Sequence, residues 1–282
     1  NSKKIGTRDV PAGYYQLHQN GIYHFNKKNY QVESIVKTQN GANAYLKKSD
    51  EIQKRTIPIV KTSLTQVSEK EAIKKEIRFT TTKITLRYGL IDMNRTITGY
   101  LKGNYNDSAD KFETINGDSI SNWSNFNWNS KHYCTSIFIP SEFGTKIKFD
   151  VKNSIVTDSK IHTIAHVLVN SSKILTKSES NDIDAFYENG VIHLFDNTSD
   201  GYNGCSKMIY ENFEKIMETC FDLINECDCP VDPKQKKAVL EGEKWGGCPK
   251  CTFTTNYCQT KNKKLSKNEA MEFFSIFKRK IK

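Results

Sequence analysis

Between residues 30 and 139, apolar positions recur at strand spacing. Residues 30–36 alternate loosely, 77–88 form a long β-branched and aromatic run, and 95–102 and 132–139 repeat the pattern. Such runs predict extended segments with one face turned inward. Residues 103–129, rich in Asn, Asp and Ser, interrupt them and read as a loop or insertion. Trp123 and Trp128 there suggest that part of it packs down.

After residue 155 the period changes to that of helices. Asp158 and Ser159 stand before Ile161, Ile164, Ala165, Leu168 and Leu175, which predicts a capped helix. A short apolar strand over 191–195 then runs through a polar, glycine-bearing turn, 196–204, into a helix over 205–225. Met208, Ile209, Phe213, Ile216, Met217 and Cys220 mark the apolar face of that helix. Near the end, Ser266 and Glu269 form a capping box, and Leu265 with Ala270 a hydrophobic staple. Phe273, Phe274, Ile276 and Phe277 supply the core face of this last helix. The predicted fold class is α+β. A β-rich platform over 1–155 is followed by an α/β region over 156–282, whose helical cysteine-bearing module spans about 205–282.

The cysteines sharpen this picture. Of eight, five lie between 227 and 258: C-x-C, eighteen residues, C-P-x-C, six residues, C. Nothing in the sequence predicts export, so such crowding points to thiolate ligation rather than to disulfides. Tetrahedral Zn²⁺ takes four sulfurs, and two cysteines separated by two residues form half of such a site. Gly246 and Gly247 leave the backbone before Cys248 free to turn, and Lys244 and Lys250 would ease the thiolate charge. The expected ligands are Cys229, Cys248, Cys251 and Cys258, with Cys227 as the alternative to Cys229. An iron–sulfur cluster or a redox C-x-x-C pair are the competing chemistries. Cys134, Cys205 and Cys220 fall in apolar patterns and read as small buried residues.

Composition and charge narrow the class further. At 282 residues, with 37% hydrophobic and 11% aromatic content, the chain can bury a core and suggests about two domains. No apolar run reaches membrane-span length. The first residues, lacking Met and a leader core, read as a piece cut from something longer. An intracellular setting is expected, cytoplasmic in a prokaryote or nuclear in a eukaryote. The formal charge is +10, and residues 244–282 hold ten basic residues against Glu269 and Glu272. That asymmetry favours a polyanion, nucleic acid first and an anionic membrane second. Lys250, Lys261, Lys263, Lys264 and Lys267 are the expected phosphate contacts.

Two other motifs read as structural. His162 and His166 lie four apart, but position 163 is Thr where a metalloprotease helix needs Glu. The turn over 196–204 precedes a helix N-terminus, where free amides can hold phosphate. No G-x-x-x-x-G-K-[ST] accompanies it.

The run from Asp196 to Ala270 resembles the zinc-binding C-terminal domain of the mitomycin-repair (MrfA-like, YprA-like) type of superfamily-two DEAD/H-box DNA helicases. The resemblance rests on Asp196 with Gly201 and Gly204, Cys227 and Cys229, the Gly247–Cys251 segment, Cys258, and then Asn262, Leu265, Ser266, Lys267 and Ala270. A fainter likeness lies at Leu17, His18, Gly21 and Tyr23, with Tyr30 and Val32. The gap from Cys229 to Cys248 is longer than the family's, so residues 231–245 look like an insertion. Asp200 and Asn203 stand where tighter glycines are usual. The resemblance implies a zinc-stabilised accessory domain for a helicase motor, present in cis or as a separate subunit. With no Walker A, DEAD box or arginine-finger motif in the sequence, this chain is not expected to hydrolyse ATP by itself. DNA contact should then be sequence-independent and salt-dependent. A protein-interaction module partnering a helicase, and an enzyme using its cysteines, are the rival readings.

Overall fold

The computed structural model describes residues 3–8, 12–39, 41–67, 72–79, 82–106, 111–116, 126–140, 159–188, 190–241, 243, 245–254 and 265–277, the side chains of 65–67 and 126 aside. They form two compact units, one of residues 1–64 and 93–130, the other of 65–92 and 131–282.

The first unit opens with α1 (Ala12–Gln16) and a three-stranded antiparallel sheet of β1 (Ile22–Phe25), β2 (Lys28–Thr38) and β3 (Gly41–Lys48). β4 (Lys54–Val67) begins in this unit. β5 (Ile73–Arg78) and most of the first half of β6 (Lys83–Asn104) belong to the second unit, and the rest of β6 to the first. β7 (Glu113–Asn116) pairs with the end of β6, and β8 (Phe126–Phe138) follows. The segment expected to be a loop over 103–129 therefore contributes strand: β6 continues to Asn104, and β7 and the start of β8 lie inside it. Trp128 is buried and stacks on Tyr14 at 4.5 Å between ring centroids. Trp123 lies outside the described residues.

In the second unit, the run 77–88 turns back on itself as a hairpin of β5 and β6, with Ile77 opposite Ile84. β8 pairs with β10 (Val191–Asp196), and β10 pairs with β9 (Ile183–Glu188). α2 (Ser159–Thr176) lies where the 3.6-residue period predicts it and buries Ile161, Ile164 and Leu168 completely or nearly so. The helix expected over 205–225 is two: α3 (Cys205–Glu211) ends at Asn212, and α4 (Phe213–Asn225) restarts there. α5 (Pro233–Leu240) occupies the stretch identified as an insertion, and α6 (Lys267–Ser275) closes the unit.

The core of this unit joins the inward faces of β5, β6, β8 and β10 to α2, α4 and α6. Phe213, Phe273 and Phe274 are among its largest fully buried side chains. Burying each phenylalanine contributes about 1.5–3 kcal/mol, so α6 is anchored well beyond the intrinsic helicity of nine residues. The architecture is α+β, with a β-rich N-terminal region and a helical four-cysteine module. Among the described residues, no helix is long and apolar enough to cross a membrane.

Candidate metal centre

The centre starts where α4 ends. Cys227 and Cys229 lie just beyond the helix, whose C-cap is Glu226. The other half is a tight turn, in which the amides of Cys251, Thr252 and Phe253 all donate to the Cys248 carbonyl at 3.0–3.1 Å. Gly247 makes the turn possible. It has φ +98°, and a Cβ there would lie 2.0 Å from the Thr252 Oγ1. That hydroxyl instead donates to the Gly246 carbonyl at 2.6 Å, so the lack of a side chain at Gly247 keeps the knuckle closed.

α2 holds the turn from behind. His166 Nδ1 lies 3.0 Å from the Thr252 carbonyl, and Asn170 donates to the Phe253 carbonyl at 2.9 Å. Four residues apart, they sit on one helical face. His162 and His166 meet edge to face, 4.4 Å between ring centroids, and His166 is a buried bracing residue of the knuckle.

The four sulfurs of Cys227, Cys229, Cys248 and Cys251 lie within 4.8 Å of one another. The separations are 3.6 Å for Cys227–Cys248, 3.6 Å for Cys229–Cys251 and 3.8 Å for Cys248–Cys251. A tetrahedron with Zn–S bonds of about 2.3 Å has edges of about 3.8 Å. The donor set and spacing fit zinc, and these residues would hold it as a closed, structural site. Cys227 and Cys229 both join the cluster, where sequence reasoning had offered one as the alternative to the other. Cys258 lies outside the described residues.

The sulfurs differ in their hold on a proton. Burial opposes ionisation of Cys248, but the Lys250 amide and the thiols of Cys227 and Cys229 hydrogen-bond it and bring it down to about 7. Burial pushes Cys227 and Cys251 up. A metal must therefore displace protons as it binds. Cys134 and Cys220 are fully buried and pushed up to about 12. As thiols they are inert, consistent with their reading as packing residues.

Of the expected phosphate-facing lysines, Lys250 is exposed on the knuckle. It borders a groove of about 340 Å³ with Asn170, Lys173, Leu223, Pro249 and Phe253. Lys267 is placed differently. It is 7% exposed, and its ammonium points inward to the carbonyls of Cys227 and Cys229 and the sulfur of Cys229. Expected among the phosphate contacts, it is instead buried at the first turn of α6 with these three partners around its ammonium. Lys261, Lys263 and Lys264 lie outside the described residues.

The glycine turn before α3 is closed by its own carboxylate. Asp196 is fully buried, and its oxygens accept from the amides of Asn203 and Gly204 at 3.0 Å and of Ser206 at 2.6 Å. Those are the amides a phosphate would need. Gly201, at φ +72°, lets the loop cross β8, because a Cβ would fall 1.8 Å from the Lys131 carbonyl oxygen.

Residues 164–252 match the family described as MrfA Zn-binding domain. The match contains all four clustered cysteines and stops before Cys258. The chain is 26% identical over 121 residues to an uncharacterized protein of Methanocaldococcus jannaschii, an alignment covering 39% of this chain and 93% of that protein. In fold it is similar to the crystal structure of the DUF1998 helicase MrfA bound to DNA, with a TM-score of 0.51 at 18% identity over 95% of this chain. The chain spans 31% of the length of that helicase.

Proposed function

We propose that this chain, which carries an MrfA-type zinc-binding domain over residues 164–252, serves as a non-catalytic accessory part of a superfamily-two DNA helicase in repair or defence. It holds the DNA backbone and braces a motor supplied in cis or by a separate subunit. One observation carries the reading. The segment that matches a helicase's zinc-binding domain is the segment whose four sulfurs converge at tetrahedral spacing. Contact with DNA draws support from the basic C-terminal stretch and from exposed Lys250, beside a groove partly walled by Phe253. Aromatic faces accept stacked bases without sequence preference. The neighbouring helicase structure, itself bound to DNA, sets the context.

A second reading, a zinc-stabilised subunit that docks a helicase through protein contacts, draws on α5. That helix buries none of its residues, and Val231 and Leu240 beside and within it are 85% and 81% exposed.

Anisotropy with labelled single-stranded DNA separates the two. Changing Lys250, Lys261, Lys263 and Lys264 together to Glu should weaken binding at least tenfold. The salt slope should become shallower by about 0.7 per lost phosphate contact. Unchanged affinity at moderate salt, with zinc content intact, favours the docking subunit.

A further inference from the structure

Four thiolates around one Zn²⁺ leave the centre with a surplus of two negative charges. Lys267 is placed against that surplus. Its Nζ donates to the carbonyls of Cys227 at 2.6 Å and Cys229 at 3.1 Å, and lies 3.5 Å from the Cys229 sulfur. An ammonium has three donors, and these three partners use them all.

The position is otherwise a poor one for a lysine. Lys267 is the first residue of α6, behind the Ser266 cap, where the helix dipole repels positive charge. It is also buried, and buried ammonium groups are retained only when paired. Both penalties are offset if the thiolate charge of the metal centre faces it. Its backbone amide donates to the Trp245 carbonyl at 2.6 Å, immediately before the Gly246–Gly247 turn. One residue thus ties the start of α6 to both halves of the knuckle.

We propose that Lys267 is a positioning residue of the zinc centre. Its ammonium is a built-in countercharge at Cys229, and through it the first turn of α6 is coupled to the metal. The assignment stands on the metal centre alone and is independent of any DNA contact.

The test uses the whole chain with Zn²⁺ or Co²⁺ as the probe. Lys267→Met removes charge and donors; Lys267→Gln removes the charge and keeps amide donors. Chelator competition should show zinc affinity falling about 10–100-fold in the Met variant, the range for losing an outer-shell partner. Mass spectrometry of alkylation should show Cys229 reacting several-fold faster relative to Cys248 in both variants. The sulfur-to-cobalt charge-transfer band should shift in both. Affinity within twofold of the parent, or equal acceleration of Cys229 and Cys248, would overturn the assignment. Should the Met variant fail to fold, the unmodified chain decides the coupling. Hydrogen exchange across α6 should rise on removing zinc, and unchanged protection there would refute it.

Discussion

Two acidic centres stand in the same compact unit, the buried carboxylate of Asp196 and the part-buried cysteine cluster, and they are completed in opposite ways. Asp196 receives three backbone amides from its own loop, so its charge is satisfied by the protein and its helix terminus is spent. The cluster gathers four sulfurs at 3.6–4.8 Å, and its outer partners, Lys267 included, cannot balance four thiolates. Only a cation placed among them does that. A motif that offers donors is silent until one knows whether the protein has already used them. By that measure the glycine turn is structural and the cysteine knuckle is a binding site.

Removing the metal tests the contrast most severely. Structural zinc contributes about 10–16 kcal/mol of apparent binding in small zinc peptides. Chelation, or Cys251→Ser, should abolish the ordered knuckle and lower the thermal midpoint sharply, as followed by circular dichroism and zinc content. A folded knuckle that persists without zinc would erase the distinction.

Asp196→Ala is the reciprocal experiment. It leaves the amides of Asn203, Gly204 and Ser206 without their carboxylate, and should cost about 3–5 kcal/mol in urea unfolding. Zinc stoichiometry should be unchanged.

The smallest effect concerns a helix end closed by a hydroxyl rather than a carboxylate. Ser266 Oγ accepts from the Glu269 amide at 3.4 Å, and Ser266→Ala should cost about 1 kcal/mol, read by the same unfolding curve. A loss as large as that at Asp196 would show that charge at the cap is not what separates the two termini.

The capping box also shows where local sequence stops. Ser266 caps α6 as its spacing predicts, but the return arm is replaced. The Ser266 amide donates to Thr163 Oγ1 at 2.7 Å, and the Glu269 carboxylate accepts from Ser159 at 2.7 Å. Both partners are on α2, more than a hundred residues away, so the box became a helix–helix joint. The single helix expected over 205–225 is interrupted at Asn212, which has φ −109° and whose side-chain amide donates to the Met208 carbonyl at 2.9 Å. Apolar periodicity runs on through both halves, so it gives no sign of the interruption. The strand content of 103–129 was hidden by its polar composition, because strands with an exposed face carry polar residues at alternate positions.

What the chain determined by itself was everything carried by short spacing. That includes the period of α2, the Ser266 cap, the C-x-C and C-P-x-C pairs, and hence a thiolate centre with zinc as its metal. Tertiary structure decided which cysteines meet, that Lys267 turns inward, and that Asp196 occupies the anion position before α3. Those outcomes rest on distances between residues far apart in sequence and on whether a buried charge finds its partner. Both are properties of the packed chain, and neither is written in local patterning.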